Sequence, residues 1–173
     1  MPPLHALKGD AGMDAPHVRR GRSVELRPVD VDMDALELSA RDASDVVMSH
    51  LDMQSGEVLV IVKGEPDERL LKERVRQDKK RFRKVPPFGL SEERQLLREF
   101  LAQELEGSAR DLLMRLVDEP GAFHACLTAL KADAQLWRLW ERFEGQGLRV
   151  SLLAWLASLG VRPNLMLSAL MDE

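Results

Sequence analysis

Residues 121–160 read GAFHACLTALKADAQLWRLWERFEGQGLRVSLLAWLASLG, and the phase of their apolar side chains decides the fold. Phe123, Cys126, Leu127 and Leu130 recur at the spacing of one face of an α-helix, and Leu136, Leu139, Trp140 and Phe143 do so again. Leu148, Leu152, Trp155, Leu156 and Leu159 form the cleanest stripe, with Arg149 and Ser158 off it. Gly160 is the expected C-terminal stop of that helix, with Pro163 beyond. All three tryptophans of the chain lie on or beside these stripes, which assigns them to core packing rather than to a recognition platform.

Two further helices are expected just upstream. Ser91 can cap the first, with Glu92 and Glu93 in its opening turn and Leu97, Phe100, Leu101 and Leu105 on one face before Gly107. Ser108-Ala-Arg-Asp111 resembles the start of a capping box, and Leu112, Leu113, Leu116 and Val117 give the second its buried side. Pro120-Gly121 breaks it.

Before residue 89 the period is that of strands. Val46 to Val62 holds two β-rich runs around a short polar turn with Gly56, which takes a positive φ at no steric cost, so an antiparallel hairpin is expected. Leu59 to Val62 is continuously apolar, as in a strand covered on both faces. Arg81 to Phe88 alternates apolar and charged residues and reads as a third, edge strand stopped by Pro86 and Pro87. Between them, Pro66 to Lys80 has acids in front, bases behind and only Leu70, Leu71 and Val75 as an apolar edge, which predicts a largely solvated helix. Ser23 to Val29 is an extended lead-in to a short helix over 30–40, capped by one of Asp30, Asp32 and Asp34. These aspartates do not make a calcium loop, because the turning glycine and the distal Glu are missing at the required spacing.

The expected fold is α+β, a small antiparallel sheet of about three strands packed on a C-terminal bundle of four to five helices. Residues 1–22 are expected to be a flexible N-terminal tail. Residues 23–162 form a single domain with a sheet-containing part at 23–88 and a helical part at 89–162, and 163–173 form a C-terminal tail whose mixed apolar residues add a last turn.

The chain is 45% apolar and 31% charged, the balance of a soluble globular protein. No run approaches the roughly 18 apolar residues of a membrane span, and no apolar leader is visible, so a cytoplasmic location without membrane contact is expected. Cys126 is the only cysteine, which excludes an internal disulfide and a thiolate metal cluster.

Four histidines limit the search for chemistry. His5 and His17 lie in the tail. His124 and Cys126 are two apart on a helix, about 200° around its axis, and cannot share an ion. His50 and Asp52 are two apart on a strand and do share a face, which makes them a candidate polar pair, although strands often turn such pairs to solvent. No nucleophile elbow, phosphate-binding loop or dinucleotide fingerprint is present, no cofactor is implied, and enzyme status is unsupported.

The basic segment is the stronger candidate. Arg69 to Lys84 holds nine Lys/Arg against Glu73 and Asp78, within a chain of net charge −4. In it, Lys79, Lys80, Arg81, Arg83 and Lys84 surround Phe82, a pattern that neutralises phosphates and stacks a base, or equally forms a solvated edge. The leading expectation is a non-enzymatic binding or regulatory module acting through a protein partner. The alternative is nucleic-acid binding through 69–84. The sequence leaves the oligomeric state open.

The order of these elements resembles the bacterial uncharacterised protein family 0158. The likeness covers about Val29 to Val161. It rests on His50-Leu-Asp-Met-Gln-Ser-Gly-Glu-Val58, similar to the family's aromatic-Leu-Asp-x-x-Thr-Gly-Glu-Val hairpin, and on Arg81-Phe82 to Pro86, similar to its Arg-Tyr-Ile-x-Ile-Pro strand. Phe100, Gly121-Ala-Phe123, Trp140-x-x-Phe143 and Trp155-Leu156 with Gly160 follow in order. His50 stands where the family commonly has tyrosine, His124-Ala-Cys126 softens a Phe-rich helix, and the basic run before Arg81 is longer than the family needs. The resemblance implies the α+β fold and carries no established activity.

Overall fold

The computed structural model describes residues 26–164, so the leader expected at 1–22 and the last turn expected beyond Asn164 lie outside the described residues. In chain order come β1 (Arg27–Val29), α1 (Met33–Arg41), β2 (Val47–Asp52), β3 (Val58–Val62), α2 (Glu68–Gln77) and β4 (Phe82–Lys84). The helices α3 (Leu90–Glu104), α4 (Gly107–Asp118), α5 (Phe123–Lys131) and α6 (Ala134–Ser158) follow, and β5 (Val161–Pro163) closes the series. The chain is α+β, with its antiparallel sheet in the order β3-β2-β4 and a parallel pair β1-β5 beside it.

Register fixes what each face of the sheet carries, since side chains alternate along a strand. Met48 lies opposite Ile61, His50 opposite both Leu59 and Lys84, and Asp52 opposite Phe82. That face is covered by α2, whose Arg74 places its guanidinium 5.2 Å from the Phe82 ring centre. Ser49 and Leu51 point the other way, and Leu51 is fully buried among Val31, Met33, Leu36, Leu148, Leu152 and Leu156. As expected from its charge pattern, α2 buries none of its own residues completely.

A second core lies in the helical half. Leu97, Phe100 and Leu101 of α3, Val117 of α4, Phe123, Cys126 and Leu130 of α5 and Trp140 of α6 form it. Phe100 is its centre, meeting Trp140 edge-on at 5.4 Å and Phe143 at 5.6 Å between ring centroids. The tryptophan stretch is therefore packing, as its helical phase requires.

The fourth and fifth expected helices are one 25-residue helix, α6, which serves both cores. Asp133 caps it by accepting from the amides of Gln135 and Leu136. Gly145 and Gly147 do not interrupt it. A Cβ on Gly147 would stand 2.4 Å from a methyl of Leu96, so this glycine lets α3 approach. Arg41 at the end of α1 pairs with Glu144 on the same helix, and Arg149 faces Glu37 at 3.5 Å. Thus α1 is clasped to α6 on both sides of the glycines.

Other local expectations shift by a residue or more. Neither Ser91 nor Ser108 caps a helix: Gly89 and Glu106 occupy those positions, and the serines lie within the first turns. Asp32 does cap α1, accepting from the Ala35 amide at 2.9 Å. Pro163, expected in the tail, is the last residue of β5, and the Asn164 amide donates to Val29. A parallel pairing between residues so far apart leaves no local trace in a sequence.

Candidate functional site

The hairpin turn and the start of β4 meet at Asp52. Its carboxylate is 3% exposed and accepts from Arg81 at 2.9 Å through Nε and 2.6 Å through a terminal nitrogen, and from the Gln54 amide at 2.9 Å. Arg74 adds a longer contact at 4.0 Å. Arg74 and Arg81 each lie 5.2 Å from the centre of the Phe82 ring, so the aromatic is flanked by the two cations that face Asp52. The hydrogen bonds from Arg81 hold Asp52 at about 2 despite its burial, so the group is a fixed anion at neutral pH.

The turn is docked as well as braced. Gly56 has φ +82°, its carbonyl accepts from the Asp32 amide at 3.3 Å, and its α-carbon faces the Asp30 carbonyl. The Met53 amide donates to the Arg81 carbonyl at 2.7 Å, and Arg27 donates to the Met53 carbonyl. Arg27 of β1, Asp30 and Asp32 ahead of α1, Arg74 of α2 and Arg81 ahead of β4 therefore converge on Asp52 and the turn that follows it.

His50 and Asp52 share a face, as alternation requires, but the donors on Asp52 are Arg81 and backbone amide, and His50 lies between Leu59 and Lys84. Its Nδ1 is buried without a hydrogen-bond partner among the described residues. Burial first, and the Lys84 charge second, lower its pKa, so the ring is neutral at pH 7. The solvent-facing polar pair expected from the strand is thus two groups in different settings, one of them an ion-pair anchor. Cys126 is fully buried and its thiol is pushed up to about 11 by desolvation, which leaves it protonated and unreactive. His124 is exposed on the opposite side of α5.

The basic segment divides in two. Lys72, Arg74, Arg76 and Arg81 are engaged by Glu68, Asp52, Glu73 and Asp52 in turn. Arg69, Lys79, Lys80, Arg83 and Lys84 are exposed and have no carboxylate within 4 Å among the described residues. Lys79 and Lys80 stand in the turn after α2, while Arg83 and Lys84 project to opposite faces of β4. Phe82 is 5% exposed, so it is not available to stack a base.

Two hollows adjoin this region. One, of about 310 Å³, lies between α1, the hairpin and α2, with Asp32, Asp52, Glu57, Leu59 and Arg74 in its lining. The other, of about 460 Å³, runs along α2 and the turn before it and has no opposing wall. Among the described residues no group of three His, Cys, Asp or Glu side chains is placed to hold a metal, and no helix is long and apolar enough to cross a membrane.

These features define an α+β protein whose most constrained polar residues brace a hairpin and whose free cations lie beside it. The model of the Uncharacterised protein family (UPF0158) matches residues 26–168, so the chain belongs to that family. It is similar to the UPF0158 protein PA5073 of Pseudomonas aeruginosa, at 25% identity over 138 residues, covering 80% of this chain and 88% of that relative. No solved structure matches it.

The resemblance motifs and the geometry coincide at Asp52, Gly56, Arg81 and Phe82, where they carry the brace. Sequence reasoning grouped Arg81 with the free cations and overlooked Arg74. An arginine of α2 placed one helical turn after Leu71 and next to Val75, the two half-buried apolar residues of that helix, was the available signal that its side chain turns toward the sheet.

Proposed function

We propose that the protein is a non-enzymatic cytoplasmic binding or regulatory module that takes an acidic protein partner on the turn after α2 and on β4. The observation that carries this reading is the set of exposed cations Lys79 and Lys80 in the turn after α2 and Arg83 and Lys84 on β4, none with a carboxylate within 4 Å among the described residues, beside the point where Arg81 is tied to Asp52. A rigid cationic ledge steers an acidic surface and loses little side-chain order on binding, apart from that of the lysines. The buried phenyl of Phe82 and the interspersed Glu73 and Asp78 weigh toward a protein surface over a nucleic-acid strand, whose binding draws on stacking and a continuous cationic track.

Native copurification tests it, with parallel nuclease-treated and untreated lysates and a variant carrying K79E, K80E, R83E and K84E. A partner retained after nuclease and lost in the variant supports the reading. Recovery of the chain alone under mild lysis overturns it.

Nucleic-acid binding through residues 69–84 is the second reading, favoured by the same unpaired cations acting on phosphates alone. It requires retention that disappears with nuclease and weakens steeply with salt. No mobility shift at low salt removes it.

A further inference from the structure

The two outer edges of the antiparallel sheet are not treated alike. On β4 the edge is three residues long, carries Arg83 and Lys84, and is closed by Pro86 and Pro87. Short length, charge and proline are the devices that blunt an edge against unwanted pairing. β3 has none of them. It reads Val58-Leu-Val-Ile-Val62, with no charge and no proline, and Val60 is 45% exposed.

Hydrogen-bond parity shows which backbone groups on β3 are free. The Asp52 amide donates to the Glu57 carbonyl at 2.9 Å and the Lys63 amide to the Val46 carbonyl at 2.8 Å. Positions 57, 59, 61 and 63 therefore turn their backbone groups toward β2, and Val58, Val60 and Val62 turn theirs outward. The Val62 carbonyl is taken by the Glu65 amide at 3.3 Å, whereas Val58 and Val60 have no such partner among the described residues.

We propose that β3 is a self-pairing edge, through which two copies of the chain join antiparallel about a twofold at Val60 and merge their three-stranded sheets into one. The twofold sets Val60 against its own equivalent, Val58 against Val62 of the partner subunit and Leu59 against Ile61 of the partner subunit. Outward-facing groups then meet outward-facing groups at every step. The same register brings Glu57 opposite Lys63 of the partner subunit, twice per dimer, as a closely spaced pair of opposite charge. Centring one residue earlier leaves Glu57 opposite Ile61 of the partner subunit, and centring one later leaves Lys63 opposite Leu59 of the partner subunit. Charge complementarity thus selects the Val60 register, and it selects a second copy of this chain as the occupant. The edge lies across the sheet from Arg83 and Lys84, so self-pairing and the acidic partner do not compete.

Analytical ultracentrifugation of the full chain tests the proposal, and a concentration-dependent dimer is expected. V60P removes an outward amide that serves no bond among the described residues, so it abolishes the dimer while circular dichroism reports an intact fold. V60K gives the same readout should the proline variant fail to fold. Glu57→Lys alone or Lys63→Glu alone raises the dimer dissociation constant about tenfold, and the double reversal restores it. A monomer at every concentration overturns the proposal. So does a dimer indifferent to the Val60 and single-charge variants, or one that the double reversal fails to restore.

Discussion

Gly56 lies against Asp30 so closely that a Cβ on the glycine would stand 1.9 Å from the Asp30 carbonyl oxygen. Two independent demands meet there: the positive φ of +82° that turns the hairpin, and the close approach that seats the turn on the strand-to-helix connection before α1. Gly56→Ala cannot relax by moving a flexible side chain, because the obstacle is backbone. It is expected to destabilise the fold by about 3 kcal/mol, more than the φ preference alone. Gly64→Ala is the control: its φ is +90° but nothing lies within 4 Å, so it should cost only about 1 kcal/mol. Urea denaturation of the two variants separates close approach from conformational strain.

The Asp52–Arg81 brace predicts a pH dependence. Asp52 is held at about 2, below its ordinary value of 3.8, so its contribution is present above the unfolded-state pKa and is lost as pH falls through the folded one. At neutral pH Asp52→Asn should cost about 2 kcal/mol. The difference from the wild type should shrink as pH falls from about 4 toward 2. Chemical denaturation of both proteins across that window checks the sign, and a gap that is constant with pH would deny the carboxylate its role.

The two glycines inside α6 should behave oppositely. Ala has the higher helix propensity by about 1 kcal/mol, and a Cβ at Gly145 meets nothing closer than a guanidinium nitrogen of Arg41 at 4.0 Å, so Gly145→Ala should stabilise. At Gly147 the new Cβ would strike both methyls and the branch carbon of Leu96, so that side chain must leave its packed position to make room. Gly147→Ala should therefore destabilise by about 1 kcal/mol net, and trimming Leu96 to Ala should reveal a favourable coupling of similar size in a double-mutant cycle.

How much of this was legible in the sequence follows from the range of each interaction. The helical phase of Phe123, Trp140 and Leu156, the two β-rich runs around the Gly56 turn and the alternation from Arg81 to Phe88 are local, and they defined the α+β class and the three-stranded sheet. The continuity of α6 was not legible, because Gly145-Gln-Gly147 has the composition of a break, and it is Leu96, some fifty residues away in the chain, that gives Gly147 its reason for lacking a side chain. The strand β5 depends on β1 at the other end of the described chain. At the site, sequence grouped Arg81 with Lys79, Lys80, Arg83 and Lys84 by adjacency. The Asp52 carboxylate at the end of β2, which Arg81 alone of these hydrogen-bonds, separates it from them.

A half-buried pair of carboxylates, Glu93 and Glu144, at the clasp between α1 and α6 gives the last prediction. Glu93 of α3 is raised above its ordinary range, by burial first and then by Glu144, while Arg41 offsets part of this. A carboxyl whose folded pKa is raised favours the folded state when protonated, so its ionised form opposes folding above that pKa. Glu93→Gln should thus stabilise the protein at neutral pH, and the gain should fade as the pH falls through the raised value toward the ordinary glutamate range, below which it is absent. Arg41→Ala should act in the reverse direction, since it removes the cation that pairs with Glu144 and faces Glu93. Combined with Glu93→Gln, its cost should fall, because one of the two carboxylates it serves no longer carries charge. Thermal melts of the four proteins at neutral and acid pH resolve this coupling, and an Arg41→Ala penalty unchanged by Glu93→Gln would show that the two carboxylates do not share the arginine.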